Sequence, residues 1–184
     1  MNIGEIITAD SANGTGIRVS IFVSGCTNHC EGCFQPQTWD FSYGRFYDRS
    51  VEDFIIAELQ NDYYEGLTIL GGEPFEIANQ GTILNLIRRV RSECSGKNIW
   101  MYSGFTYESD LADKNGKRHT MYTDEILDSI DVLVDGKFEI EKKNITLNFR
   151  GSENQRIIDM KETRRVGHVV LSRLNNTGIA RYIE

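Results

Sequence analysis

The chain has 184 residues, with 20 lysines and arginines against 27 aspartates and glutamates, so its formal net charge is −7. Its 40% hydrophobic and 26% charged residues are typical of a globular protein and exclude an intrinsically disordered chain. Four cysteines are too few for a disulfide scaffold, and the acidic balance argues against a nucleic-acid partner. No apolar run approaches the roughly 18 residues of a membrane span, and the first residues lack the features of a signal peptide. We therefore expect a cytoplasmic protein with reduced cysteines and no membrane partner.

Strands and helices are predicted to alternate along the chain. A β-branched strand over residues 17–23 follows a glycine-rich turn and leads into a loop that contains three cysteines. Ser50 is predicted to cap a helix that runs to about residue 61, with Asp53 in a capping-box position. Four further strands are predicted, at residues 67–70, 98–103, 131–135 and 145–149. Helices are predicted around residues 83–94 and 124–130.

Two segments fit this alternation least well. Residues 106–122 are polar and contain an Asn-Gly turn signal, so we expect a surface excursion there. The tail over residues 159–184 is ambiguous, although residues 168–171 are predicted to be extended. Since no linker separates these segments from the rest, we expect a single domain over residues 1–184.

Alternating strands and helices indicate βαβ units and a parallel sheet, whose loops after each strand lie on one edge. A complete eight-fold barrel takes about 250 residues. The predicted fold is therefore α/β, a partial, open (β/α) barrel with a mostly parallel sheet. Ligands bind at the carboxyl ends of such strands. Four polar or glycine-rich segments are expected to converge there: the cysteine loop, residues 71–73, residues 103–104 and residues 135–137.

The cysteine loop carries the strongest chemical signal. Cys26, Cys30 and Cys33 form a C-x3-C-x2-C pattern, in which three thiolates can hold three corners of a cubane iron–sulfur cluster. Cys94 lies far along the chain on an apolar helical stripe and is predicted to belong to the core. One iron of the cluster would then be open to a substrate. Two alternatives stay open, namely a zinc site with His29 as fourth ligand and unliganded thiols.

A second motif, Gly71-Gly72-Glu73-Pro74, follows a predicted strand. Paired glycines permit a ligand to approach the backbone closely, and a carboxylate can hold an ammonium group. By itself this motif is better explained as an ordinary strand-to-helix turn with an acidic residue at the start of the helix.

Together the two motifs resemble the radical S-adenosylmethionine (SAM) superfamily. Within that superfamily the chain is similar to the family of activating proteins for anaerobic ribonucleoside-triphosphate reductase, over about residues 5–158. The segments that carry this second resemblance are residues 13–18, 22–26, 32–34, 96–100, 132–138 and 150–156. One departure from the wider superfamily is that Gly32, and not an aromatic residue, precedes the third cysteine, while Phe34 follows it.

The resemblance implies the cofactors and their ligands. Cys26, Cys30 and Cys33 would bind a [4Fe-4S] cluster, whose open iron would chelate the amino and carboxylate groups of SAM. The backbone at Gly71 and Gly72, with Glu73, would line the methionine ammonium. The remaining cofactor-binding residues implied are Gly32, Cys33, Phe34, Ser103, Asp135 and Lys137, the last three at strand ends.

The resemblance also implies the reaction. The cluster would cleave SAM reductively, and the resulting radical would take a hydrogen atom from a glycine of the large subunit of anaerobic ribonucleoside-triphosphate reductase. An external one-electron donor would be required, and no catalytic residue beyond the cluster and SAM is expected. The open alternatives are another radical SAM enzyme, such as a pyruvate formate-lyase-type activase or a deazaguanine synthase, and a non-catalytic iron–sulfur or zinc module.

Overall fold

The computed structural model describes residues 1–176 as one seven-stranded sheet with four α-helices. The strands are Asn2–Asp10 (β1), Arg18–Val23 (β2), Arg45–Phe46 (β3), Gly66–Gly71 (β4), Asn98–Tyr102 (β5), Val132–Asp135 (β6) and Arg156–Asp159 (β7). The helices are Arg49–Leu59 (α1), Ile77–Glu93 (α2), Thr123–Ser129 (α3) and Met160–Val166 (α4). In this part of the chain no helix combines the length and the apolarity that crossing a bilayer would require.

The sheet has the order β3-β1-β2-β4-β5-β6-β7, with β3 and β7 at its two edges. Strands β2, β4, β5 and β6 pair in parallel, whereas β1 and β7 each pair antiparallel with the neighbouring parallel strand. Because β3 is antiparallel to β1, five of the seven strands run in the same direction. The predicted α/β class and the open, mostly parallel sheet are therefore confirmed.

The two faces of the sheet have different environments. Val19, Ile21 and Val23 alternate along β2 and are completely buried in the main core, which also contains apolar residues of all four helices. The opposite face carries a smaller cluster, in which Trp100 packs with Val134 and Ile157. Successive side chains of a strand point to opposite faces. Helices therefore cover one face, and the other is left to loops and to the site described below.

Arg18 lies on this second face and is completely buried. Its guanidinium donates hydrogen bonds to Thr68 Oγ1 at 2.6 Å and to the Leu67 carbonyl at 2.8 Å, and it lies 5.4 Å from the centre of the Trp100 ring. Burial lowers the pKa of Arg18 to about 10. A buried arginine thus ties β2 to β4 beneath the site.

Two local predictions were wrong. The predicted strand over residues 145–149 is a series of turns. The Asn144 side chain accepts hydrogen bonds from the Thr146 amide and hydroxyl, and Phe149 has a φ of 52°, so the backbone cannot extend there. The cap of α1 is Asp48 and not Ser50, because the Asp48 carboxylate accepts from the Val51 amide at 3.1 Å.

The structure shows regular elements in both of the less regular segments. Residues 106–122 contain a π-helical segment, Tyr107–Ala112, whose Leu111 side chain is completely buried. Within the predicted tail, α4 is capped by Asp159, and Leu171 forms a single bridge with Ile158. Residues 177–184 of the tail lie outside the described residues.

The core assignment predicts the effect of a truncation in β4. Ile69 is completely buried, so Ile69→Ala should lower the free energy of unfolding by about 2–5 kcal/mol, because it leaves a cavity. Ile145 is 89% exposed, and Ile145→Ala should leave stability nearly unchanged. Chemical denaturation of both variants measures this difference, and equal losses would contradict the assignment.

Candidate functional site

The loops at the carboxyl ends of β2, β4, β5 and β6 border a cavity of about 600 Å³. This volume is in the range of small-molecule and cofactor sites. All four segments predicted to converge reach this cavity, the fourth through Gly136. The predicted site residues that line it are Cys26, Cys30, Cys33, Phe34, Gly71, Gly72, Glu73 and Ser103.

The cysteine loop begins directly after β2 and folds back on itself. Cys26 is buried, whereas Cys30 and Cys33 are partly exposed. The Cys26 amide donates to the Trp39 carbonyl at 3.2 Å, and the Cys33 amide donates to the Cys30 carbonyl at 3.2 Å. His29 has a φ of 42°, a left-handed conformation that is uncommon outside glycine. The three thiols thus face one cavity from a tightly turned loop.

Burial disfavours the ionised form of two of the three thiols. Burial raises the pKa of the Cys26 thiol to about 12 and also raises that of Cys30, where the charge of Lys137 opposes the shift. A thiolate that is unfavourable by itself is stabilised when it ligates a metal, since the metal displaces the proton.

The three cysteine side chains are not gathered around a single point. Among residues 1–176, no three His, Cys, Asp or Glu side chains are grouped closely enough to hold one metal ion. A cubane cluster binds each cysteine through a different iron, so its thiolates stand farther apart than the ligands of one ion. His29, the alternative fourth zinc ligand, packs its ring on Trp39 at a centroid distance of 4.7 Å.

Gly71 and Gly72 bring the end of β4 against the cysteine loop. Gly71 has a φ of 107°, and a Cβ on Gly72 would lie 2.6 Å from the Gly25 carbonyl oxygen. The Gly72 amide donates to the Val23 carbonyl at 2.7 Å, and the Glu73 amide donates to the Gly25 carbonyl at 2.8 Å. Both glycines are therefore required for the contact between two segments of the chain as well as for a place beside the cavity.

Glu73 connects the loops around the cavity. Its buried carboxylate accepts hydrogen bonds from the Phe75 amide at 2.9 Å, Ser103 Oγ at 3.0 Å, the Gly104 amide at 2.7 Å and Asn28 Nδ2 at 3.2 Å. Burial raises the pKa of Glu73 to about 7, and these hydrogen bonds oppose the shift. One carboxylate thus joins the cysteine loop, its own loop and the loop after β5.

Three predicted residues do not line the cavity. Asp135 is completely buried and forms an ion pair with Arg156, and it also accepts from the Tyr107 amide at 2.8 Å. Lys137 is exposed. A Cβ on Gly32 would lie 2.7 Å from Ile140 Cδ1, so this glycine faces a side chain. Asp135 and Lys137 flank Gly136, and Gly32 precedes Cys33. Gly136 and Cys33 line the cavity, whereas the three predicted residues beside them do not.

Other residues of the cavity were missed by sequence reasoning. Asn28 lies inside the cysteine motif, at a position to which no role was assigned. The opposite wall is formed by residues 143–155, which lack a periodic pattern, although residues 150–156 carry part of the resemblance. Phe34 is 72% exposed at the cavity and lies 5.9 Å from Phe138 and 5.2 Å from Lys143 Nζ, measured from its ring centre.

Comparison with known proteins identifies relatives over most of the chain. A family model described as a 4Fe-4S single cluster domain matches residues 12–158. Anaerobic ribonucleoside-triphosphate reductase-activating proteins of Vibrio cholerae and Escherichia coli K12 are 40% and 37% identical over 157 residues, which covers 84% of this chain and 96% of each relative. The protein of the same name from Enterobacteria phage T4 is 35% identical over 159 residues, 85% of this chain and 93% of the relative.

The hydrogen bonds of Glu73 predict the effect of adding one methyl group beside them. A Cβ at Gly104 would lie 2.4 Å from Asn28 Nδ2, so Gly104→Ala should displace the Asn28 amide from Glu73 and lower the free energy of unfolding by about 1–3 kcal/mol. A Cβ at Gly81, inside α2, meets no atom closer than 3.4 Å, so Gly81→Ala should be neutral or stabilising. Thermal unfolding of the two variants tests this, and a tolerated Gly104→Ala would contradict the packing described here.

Proposed function

Because the chain belongs to the family of anaerobic ribonucleoside-triphosphate reductase-activating proteins, we propose that it is a radical SAM activase that generates a glycyl radical on the large subunit of that reductase. The observation that carries this proposal is the convergence of Cys26, Cys30 and Cys33 with the Gly71–Gly72–Glu73 loop at one cavity. Neither motif is specific alone, and their meeting in space supports their joint use.

In this proposal Cys26, Cys30 and Cys33 ligate a [4Fe-4S] cluster. Gly71, Gly72 and Ser103, which line the rest of the cavity, would hold SAM there. A bound cluster would supply the electron for the reductive cleavage of SAM, and the radical so formed would abstract a hydrogen atom from glycine. No side chain of this protein is assigned a proton transfer, which agrees with a reaction performed by its cofactors.

The protein's own residues hold the geometry of that site. Glu73 fixes the three surrounding loops, so its proposed contact with the methionine ammonium comes from a carboxylate that is already immobilised. Cys33 and Phe34 border the cofactor, and Gly32 allows their turn. Two other predicted residues are assigned indirect roles. Asp135 fixes the loop after β6 through Arg156, and the charge of Lys137 favours the thiolate of Cys30.

The large reductase subunit and an external one-electron donor are the proposed partners. The full chain, residues 1–184, is proposed to act as a single domain. The names of the relatives favour this activase over a pyruvate formate-lyase-type enzyme or a deazaguanine synthase. The matching family model, a 4Fe-4S single cluster domain, favours an iron–sulfur cluster over a zinc module.

Anaerobic reconstitution with iron and sulfide, followed by reduction and EPR spectroscopy with and without SAM, tests the proposal. We expect a [4Fe-4S]⁺ signal that changes when SAM is added, because the cluster has an iron without a protein ligand. Incubation with the reductase and SAM should then give a glycyl-radical signal. A sample that retains one zinc ion per chain and shows no such signal would contradict the proposal.

Replacing single cysteines separates ligands from a structural thiol. Cys26→Ala, Cys30→Ala and Cys33→Ala should each abolish SAM cleavage, measured as release of 5′-deoxyadenosine. Cys94 is buried in the main core and donates to the Ile56 carbonyl at 3.7 Å, so Cys94→Ala should retain cleavage and lose only stability. Normal cleavage by Cys30→Ala would overturn the ligand assignment.

A further inference from the structure

Thr27, between Cys26 and Asn28, is held by a second buried carboxylate. Its amide and its hydroxyl both donate to Glu76 Oε1, at 2.8 and 2.6 Å. Glu76 is 5% exposed and immediately precedes α2. Adjacent residues of the cysteine loop are therefore tied to two different glutamates, Asn28 to Glu73 and Thr27 to Glu76.

The 106–122 excursion supplies the opposite side of this contact. Arg118 Nη2 hydrogen-bonds to Thr27 Oγ1 and lies 3.4 Å from Glu76 Oε2. The guanidinium also stacks 4.5 Å from the centre of the Phe105 ring. The Thr27 hydroxyl thus donates to a carboxylate and accepts from a guanidinium at the same time. Hydrogen bonds to charged groups are about twice as strong as neutral ones.

The backbone of Arg118 is itself fixed to the body of the protein. Its carbonyl accepts from Gln80 Nε2 at 2.8 Å, and Gln80 is a completely buried residue of α2. Its amide donates to the Asp110 carbonyl at 3.1 Å. Thr27 is exposed, but only 17% of the Arg118 side chain is, so the guanidinium reaches Thr27 from a largely buried position. The polar excursion therefore has a specific contact with the site.

We propose that Glu76 and Arg118 are positioning residues that clamp the cysteine loop in its cluster-binding conformation, with residues 106–122 acting as an outer brace for that loop. This proposal rests on the proposed function, because it takes the loop to be the cluster-binding loop. The cysteine loop has no helix or strand of its own. Fixing such a segment costs conformational entropy, which the contacts at Thr27 and Asn28 offset.

The charges of the clamp depend on each other. Glu76 is buried, and Arg118 is the cation that pairs with it in the described part of the chain. Removal of one partner of a buried pair leaves the other charge uncompensated. Loss of Arg118 should therefore also weaken the bonds between Glu76 and Thr27. Because Thr27 directly follows Cys26, the first consequence should be greater opening of the chain at Cys26.

Cysteine alkylation in the cluster-free protein tests this directly. Iodoacetamide modification of Cys26 and Cys94 is followed by mass spectrometry in the wild type and in Arg118→Ala. Both cysteines are buried, so each reacts only after an opening, but Cys94 lies in the main core, away from the loop. We expect modification of Cys26 to be about tenfold faster or more in Arg118→Ala, as for the loss of a hydrogen bond to a charged group, with Cys94 unchanged.

Lys117→Ala is the matched control. Lys117 is the adjacent residue and lies over the same Phe105 ring at 5.0 Å, but it pairs with Asp110 and has no hydrogen bond to Thr27. In Lys117→Ala, iodoacetamide should modify Cys26 at the wild-type rate. Equal acceleration by Lys117→Ala and Arg118→Ala would overturn the clamp, because the effect would then come from the excursion as a whole.

Thr27→Val is the decisive second variant, since it is nearly isosteric and replaces the hydroxyl that both charged groups bind by a methyl group. In Thr27→Val the modification of Cys26 should be faster and that of Cys94 unchanged, even if Arg118→Ala loosens the whole protein. The proposal is overturned if Cys26 of Thr27→Val is modified at the wild-type rate. It is also overturned if both cysteines of this variant are modified faster to the same extent. The test needs no cluster, so its outcome is separate from the cysteine and EPR experiments above.

In reconstituted protein, the clamp predicts changed g values of the reduced cluster for both variants and unchanged values for Lys117→Ala.

Discussion

The site depends on a carboxylate that the fold has placed out of water. Burying the charge of Glu73 is unfavourable, as its raised pKa indicates, and it is tolerated because four donors surround it. Those donors belong to three different segments: the cysteine loop, the turn into α2 and the loop after β5. Any movement of one segment away from the others leaves a buried oxygen without its partner, so the three loops hold one relative position.

The same physical device is used again three residues later. Glu73 and Glu76 flank the turn Pro74-Phe75 and reach consecutive residues of the cysteine loop, Asn28 and Thr27. Phe75 is completely buried between them and anchors the turn in the main core. The loop that carries the thiols is thus positioned by side chains from the next βα unit. A short parallel sheet makes this possible, because β2 and β4 are adjacent and end at the same edge.

Much of this arrangement was predictable from local pattern. Runs of β-branched residues before glycine or polar turns predict the strands β2, β4, β5 and β6. The helices between them predict that these strands are parallel. Strand β1 was missed, because its polar and exposed positions break the alternation. The 145–149 strand was wrongly predicted, because alternation there reflects turns held by Asn144. Local pattern cannot report contacts between distant segments, and so Asn28, Thr27 and Arg118 carried no visible signal.

The asymmetry of the sheet explains how so short a chain keeps an accessible site. All four helices pack on one face, where the main core supplies most of the apolar burial. The other face holds the small cluster around Trp100, the buried Arg18 and the cavity, and its far wall is formed by the turns of residues 143–155. The face that stabilises the fold is therefore opposite the face from which the cavity is accessible. The proposed function needs this division, because a glycine of the protein substrate would have to reach the cavity from outside while the surrounding loops stay fixed.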